Sequence, residues 1–225
     1  RREAALDVLY TFAIYMAVTL GTGVALLLVW RQDRAQTFTA LLGLSHLIWT
    51  FNPLADLASR STDVLWHAIG LVGLVLVGTS YLTLLTLGFM HLSGRCFSRW
   101  KLLATGVLLF AFHVALILVD LHWAQLGFAV LNTAIGLVVA WWLRRQGPGE
   151  RASAVLIVLC GINQFTYVLM GEPGALLQTT IAAALRLLLG MSLMYAALTR
   201  SGQAVQRLHD RFFELTERSP QGVTV

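Results

Sequence analysis

Residues 175–218 read ALLQTTIAAALRLLLGMSLMYAALTRSGQAVQRLHDRFFELTER, and two patterns meet inside them. Up to Thr199 the stretch is apolar over the length a bilayer crossing needs, about 20 helical residues. Beyond Arg200 it turns polar, yet Met191, Met194, Leu198, Ser201, Val205, Leu208, Phe212 and Leu215 keep recurring at alternating three- and four-residue steps. This is a heptad a/d seam, interrupted at Ser201, with Arg, Gln, Asp and Glu on the faces between. The pattern predicts one helix that leaves the membrane and continues into water. A single strand of such a seam cannot bury itself, so a parallel homodimer along this rod is expected. The alternative is an amphipathic tail on the inner leaflet, which would carry a wider apolar stripe and more Lys and Arg.

Six more apolar stretches precede it: Val8–Trp30, Gln36–Leu54, Val64–Leu92, Leu102–Val119, Leu126–Leu143 and Ala152–Met170. The 225 residues are 57% hydrophobic and 12% charged, with a mean hydropathy of +0.73, too apolar for a soluble globule. The runs show no polar/apolar alternation, which excludes a β-barrel. Nearly every residue is used in a span, which leaves no room for a soluble enzyme domain. The expected fold is an all-α membrane protein. A seven-transmembrane helix bundle over residues 1–199 continues into a cytoplasmic coiled-coil helix over 200–218.

Basic residues set the expected orientation. Arg31 and Arg34 follow the first span, Arg95, Arg99 and Lys101 the third, Arg144, Arg145 and Arg151 the fifth, and Arg200 and Arg207 the seventh. The connections on the other side hold Arg60 and otherwise only Asp120-Leu-His-Trp123 and Gly171-Glu-Pro-Gly174. Positive charge stays inside, so the N-terminus is expected outside and the C-terminus in the cytoplasm. The net charge of +5 is thereby a topology signal and needs no nucleic-acid partner. The chain begins with Arg1 and shows no cleavable leader, which predicts a piece of a longer protein. Cys96, in a loop, and Cys160, in a span, are expected to be reduced and without a role.

The C-terminal residues 211–225, RFFELTERSPQGVTV, have a helix stop at Pro220, a turn residue at Gly222 and a strand-forming Val-Thr-Val. In that order they resemble the opening of a PAS domain over residues 219–225. The membrane part is similar to the seven-helix N-terminal regions of bacterial sensor histidine kinases and diguanylate cyclases. The likeness rests on Ile48-Trp49…Asn52-Pro53-Leu54 and on His91-Leu-Ser-Gly-Arg95. The resemblance implies a sensory module of a receptor in the bacterial inner membrane, with the enzymatic output, kinase or cyclic-di-GMP turnover, outside residues 1–225.

Polar side chains inside hydrocarbon are costly and mark candidate sites. Counted inward from the helix ends, His46, His113, Asn163, Gln164 and Arg186 fall at similar depth. Two level imidazoles on separate helices suit a b-type haem, held by His46 and His113. A pocket for a small ligand, or hydrogen bonds that merely hold the bundle together, fit the same residues. Arg186 has no Asp or Glu at its depth, so its expected partners are Asn163, Gln164, backbone carbonyls, or an anionic or quinone-like ligand head group. Trp49, one turn from His46, is placed in this pocket, and Tyr167 is grouped with it as ligand-binding. Asp56, Asp63, His67, Asp120, His122 and Glu172, at the other loop ends, have the composition of a metal or polar site, although water-facing loop ends are polar in any case. Trp30, Trp66, Trp100, Trp123, Trp141 and Trp142 near span ends read as an aromatic belt.

Rival classes are weighed on the same residues. A retinal Schiff base needs a Lys in the bundle, and Lys101 is the chain's one Lys and lies in a loop. A transporter calls for helices broken at the midplane in matching halves, which the sequence does not suggest. No His-Glu-x-x-His or Ser/His/Asp set supports hydrolysis. A haem-binding membrane cytochrome shares its ligands with the haem-sensor reading.

Overall fold

The computed structural model describes residues 2–95 and 98–218, and among these the regular structure is entirely helical. The helices are α1 (Arg2–Gln32), α2 (Thr37–Trp49), α3 (Asn52–Ser59), α4 (Val64–Leu92), α5 (Arg99–Val119), α6 (Leu121–Leu143), α7 (Pro148–Met170) and α8 (Glu172–Arg218). Five of them, α1, α4, α6, α7 and α8, are long and apolar enough to cross a membrane. The apolar part of α5, Leu103–Val119, is shorter. Cys96 and the PAS-like residues 219–225 lie outside the described residues, as do the side chains of Glu172 and Leu215.

The second apolar stretch departs from expectation. It is not one helix but two, α2 and α3, parted at Thr50–Phe51. Pro53 stands in the first turn of α3. It has no N–H to donate and its ring collides with the carbonyl four residues earlier, so the helical hydrogen bonding is interrupted there. A broken helix in the bundle was not foreseen from the sequence, although no matching break occurs in the other half among the described residues.

Small residues bring the helices together, as expected where lipid removes any hydrophobic drive for packing. Gly23 on α1 and Gly43 on α2 face each other so closely that a Cβ on either would stand 2.9 Å from the other's carbonyl oxygen. A Cβ on Gly161 of α7 would lie 2.6 Å from the Thr133 backbone of α6. Helix α7 packs between α6 and α8, α1 between α2 and α8, and α3 rests on α4. Leu26, Leu42, Leu82, Leu85, Phe89, Leu92, Leu143, Ile157, Leu189 and Leu193 fill the core, all toward the end where α8 leaves the bundle.

That end is also the basic one. Arg34 lies over the Trp30 ring at 3.9 Å, and Arg95 sits between Trp141 and Trp142 at 5.3 and 5.4 Å. Helix α8 runs without a break from Glu172 to Arg218. Along it Met191, Leu198, Val205, Leu208 and Phe212 are exposed. Ser201 interrupts the seam for a reason the pattern alone did not give. Its hydroxyl donates to Asp33 at 2.8 Å and receives the Gln36 amide at 2.6 Å, which fixes the α1–α2 turn to α8.

Candidate functional site

At the end opposite the leucine core the bundle holds a cavity of about 750 Å³. The break after Trp49 borders it, and Asn52, Pro53, Asp56, Leu57 and Arg60 beyond the break form part of its wall. The other walls repeat at helical spacing, with Leu121, Ala124, Gln125 and Phe128 from α6, and Ala175, Gln178, Thr179 and Ala182 from α8. Helices α1, α4, α5 and α7 contribute Tyr15, Gly78, His113 and Gln164 with Tyr167, among others.

The floor is aromatic. Trp49 stacks on Phe128 with centroids 5.0 Å apart and planes at 13°, and Tyr81 leans against Trp49 at 4.4 Å. The Trp49 indole N–H donates to the Tyr15 hydroxyl. Beneath this floor lies Arg186, 2% exposed and not among the cavity-lining residues. Its guanidinium carbon is 5.1 Å from the Trp49 centroid, 5.2 Å from Tyr81 and 5.6 Å from Tyr15. One long bond of 3.5 Å runs from Nη2 to the Tyr81 hydroxyl. Three π faces therefore take the place of a counter-anion, each worth about 1–2 kcal/mol when desolvated.

The sequence placed Asn163 and Gln164 beside Arg186, and the structure does not. Asn163 donates to the Gln178 carbonyl at 2.9 Å, and Gln164 accepts from the Gln178 amide at 2.8 Å. Gln178 precedes Arg186 by eight residues, about 12 Å along the helix. Midpoints of the expected spans mislead here: α7 and α8 meet at Gly171, and from that shared turn Gln178 stands level with Asn163 while Arg186 lies about two turns deeper. Gln164, Tyr167 and Trp49 do line the cavity.

The two histidines share a local design. His46 Nδ1–H donates to the Leu42 carbonyl and His113 Nδ1–H to the Leu109 carbonyl, both at 2.8 Å. In each, Nε2 is buried without a partner. This is the arrangement a metal-ligating imidazole adopts, so the donor chemistry suits a haem iron. The placement does not suit the pair, because His113 lines the cavity and His46 does not. The cavity thus offers iron one imidazole.

The loop-end polar residues serve the helices. Asp63 caps α4 by accepting from Leu65 and Trp66, and Asp120 caps α6 by accepting from His122. His67 donates to the Ser59 carbonyl at 2.5 Å. Asp56 and Arg60 pair at 2.9 Å, and Arg60 also donates to the Tyr167 hydroxyl at 2.7 Å, linking α3 to α7 across the cavity mouth. No group of three or more His, Cys, Asp or Glu is spaced to hold a metal ion among the described residues.

Tyr15, Tyr81, Phe128 and Gln178 were not singled out from the sequence. Tyr and Phe within apolar runs look like any other core residues; Tyr15 and Phe128 line the cavity, and Tyr81 packs behind them against Trp49. No protein-family model, no curated protein and no solved structure matches this chain.

Proposed function

We propose that this chain is the membrane-embedded receptor module of a bacterial signalling protein. In this reading the bundle crosses the inner membrane seven times, α2 and α3 together making the second crossing, with the basic end in the cytoplasm. A small, mostly apolar molecule occupies the cavity. The occupied cavity shifts α8, and two copies paired along its exposed seam carry the shift to a following PAS domain.

One observation carries this proposal. The same helix supplies a wall of the cavity through Ala175, Gln178, Thr179 and Ala182, holds Arg186 under its floor, and runs unbroken to Arg218. A rigid helix that spans both places is a physical route by which one biases the other. A transporter would have no use for the heptad rod.

Single cysteines in a background lacking Cys96 and Cys160, reconstituted in lipid nanodiscs, test the pairing. Val205→Cys and Leu208→Cys should cross-link between copies, and Gln206→Cys on the flank should not. Equal cross-linking at Gln206, or a protein that runs as single copies in native lipid, would overturn the proposal.

A further inference from the structure

The ligand's chemistry can be read from the one imidazole that faces the cavity. His113 is 4% exposed and lines the space. The Leu109 carbonyl can only accept, so Nδ1 carries the proton. In the neutral ring Nε2 is then an acceptor, and it is buried with no partner. A buried polar atom left unpaired is unfavourable, so a ligand that satisfies it is favoured over one that does not.

The surroundings define what carries the donor. A Cβ placed on Gly78 would lie 3.8 Å from His113 Nε2 and 3.5 Å from the Phe128 ring. Gly78 therefore leaves a gap about one methyl group wide beside the acceptor and the edge of the Phe128 ring, which a larger side chain would close. His113 and Phe128 are 5.9 Å apart at 56°, and Phe128 already stacks on Trp49, so a flat ring extends an existing stack. A charged head group has no counterpart here. Asp56 and Arg60 are paired with each other, and Arg186 is behind Trp49, Tyr15 and Tyr81.

We infer that the cavity binds an uncharged aromatic alcohol, a phenol or quinol, with its hydroxyl entering the gap at Gly78 to donate to His113 Nε2 and its ring in the cavity beside Phe128. This rests on the reading of the cavity as a ligand site and narrows it to one class. The unpaired acceptor makes the site selective for the hydroxyl form. A quinone or an aryl ether of the same shape has nothing to give Nε2.

The test is calorimetric titration of the full chain in nanodiscs. The probes are a short-chain alkyl hydroquinone, its dimethyl ether and the oxidised quinone, followed by a prenylated quinol supplied in the lipid. The hydroquinone should bind about tenfold tighter than the ether or the quinone. His113→Phe should erase that preference while keeping the ether's affinity, which also shows that the variant is folded. Gly78→Leu should weaken all ring compounds. Equal binding of hydroquinone and ether, or a preference that survives His113→Phe, overturns this inference and leaves the cavity reading intact. No binding of any ring compound overturns both. Binding of the soluble hydroquinone supports a free phenol as the natural source, and binding of the prenylated form alone supports one delivered through the bilayer.

Discussion

The guanidinium carbon of Arg186 lies 5.1 Å from the centre of the Trp49 ring, and Arg186 forms no ion pair among the described residues. A full charge inside the bundle is thus held by neutral neighbours. Its energetics should be lopsided. Arg186→Met removes the charge and leaves only uncharged rings and hydroxyls behind, so stability should change by about 1 kcal/mol or less. Trp49→Leu keeps the charge and removes part of its enclosure, and should cost about 3 kcal/mol or more. Unfolding followed in detergent compares the two. If Arg186→Met is the more damaging variant, the aromatic cage is not what accommodates the charge.

A second prediction concerns how α1 meets α2. Gly23 and Gly43 are in backbone contact, and a Cβ on either would intrude to 2.9 Å from a carbonyl oxygen that cannot move aside cheaply. Gly43→Val should therefore destabilise by about 1–3 kcal/mol. Gly21 supplies the control, because a Cβ there meets nothing within 4 Å. Gly21→Val should be close to neutral. Heating followed by size-exclusion recovery of each variant would show the difference, and equal recovery would mean the helices do not approach as described.

These cases show what the sequence could and could not reveal. Five of the apolar runs are helices of crossing length because composition and length alone decide that. The continuous α8 was legible because its heptads cross the polarity boundary at Arg200 without a proline, and Gly202 alone does not interrupt them. The cavity was not legible. Part of its wall follows Pro53, which breaks a run that still looks like one span by hydropathy, and a window average does not register a single missing N–H. Trp49, Gln164 and Tyr167 were read as pocket residues and do line the cavity. Asn163 was set beside Arg186 because depth was taken from the middle of each expected span, whereas the two residues lie at different distances from the turn at Gly171 that α7 and α8 share.

The α1–α2 turn yields a pH prediction. Hydrogen bonds from Gln36 and then Ser201 hold the Asp33 carboxyl below its ordinary value of 3.8. A depressed carboxylate favours the folded contact when ionised. The contribution is complete above 3.8 and fades as pH falls through the lower folded value. The link between this turn and the exit of α8 should hold at neutral pH and loosen only in strong acid. A spin label at Gln203 would report it as increased mobility. Asp33→Ala should be mobile at neutral pH and insensitive to acid, and a variant that still responds to acid would mean another group titrates there.

The last prediction concerns the other polar tie at the α8 exit, where the rod must be held if it is to transmit anything. Arg200 Nε donates to Glu150 at 2.8 Å, and its Nη2 donates to the Leu92 carbonyl at 2.5 Å, so one side chain joins α7, α4 and α8. The Glu150 side chain is 8% accessible and that of Arg200 32%. Arg200→Ala leaves a nearly buried carboxylate without its partner, which should cost about 2–3 kcal/mol. Replacing both with Leu removes the stranded charge, so the double variant should be more stable than Arg200→Ala alone. A double-mutant cycle read by unfolding in detergent gives the coupling directly. Additive costs would show that the pair does not interact, and would leave the Ser201–Asp33–Gln36 cluster as the attachment that sets where α8 leaves the bundle.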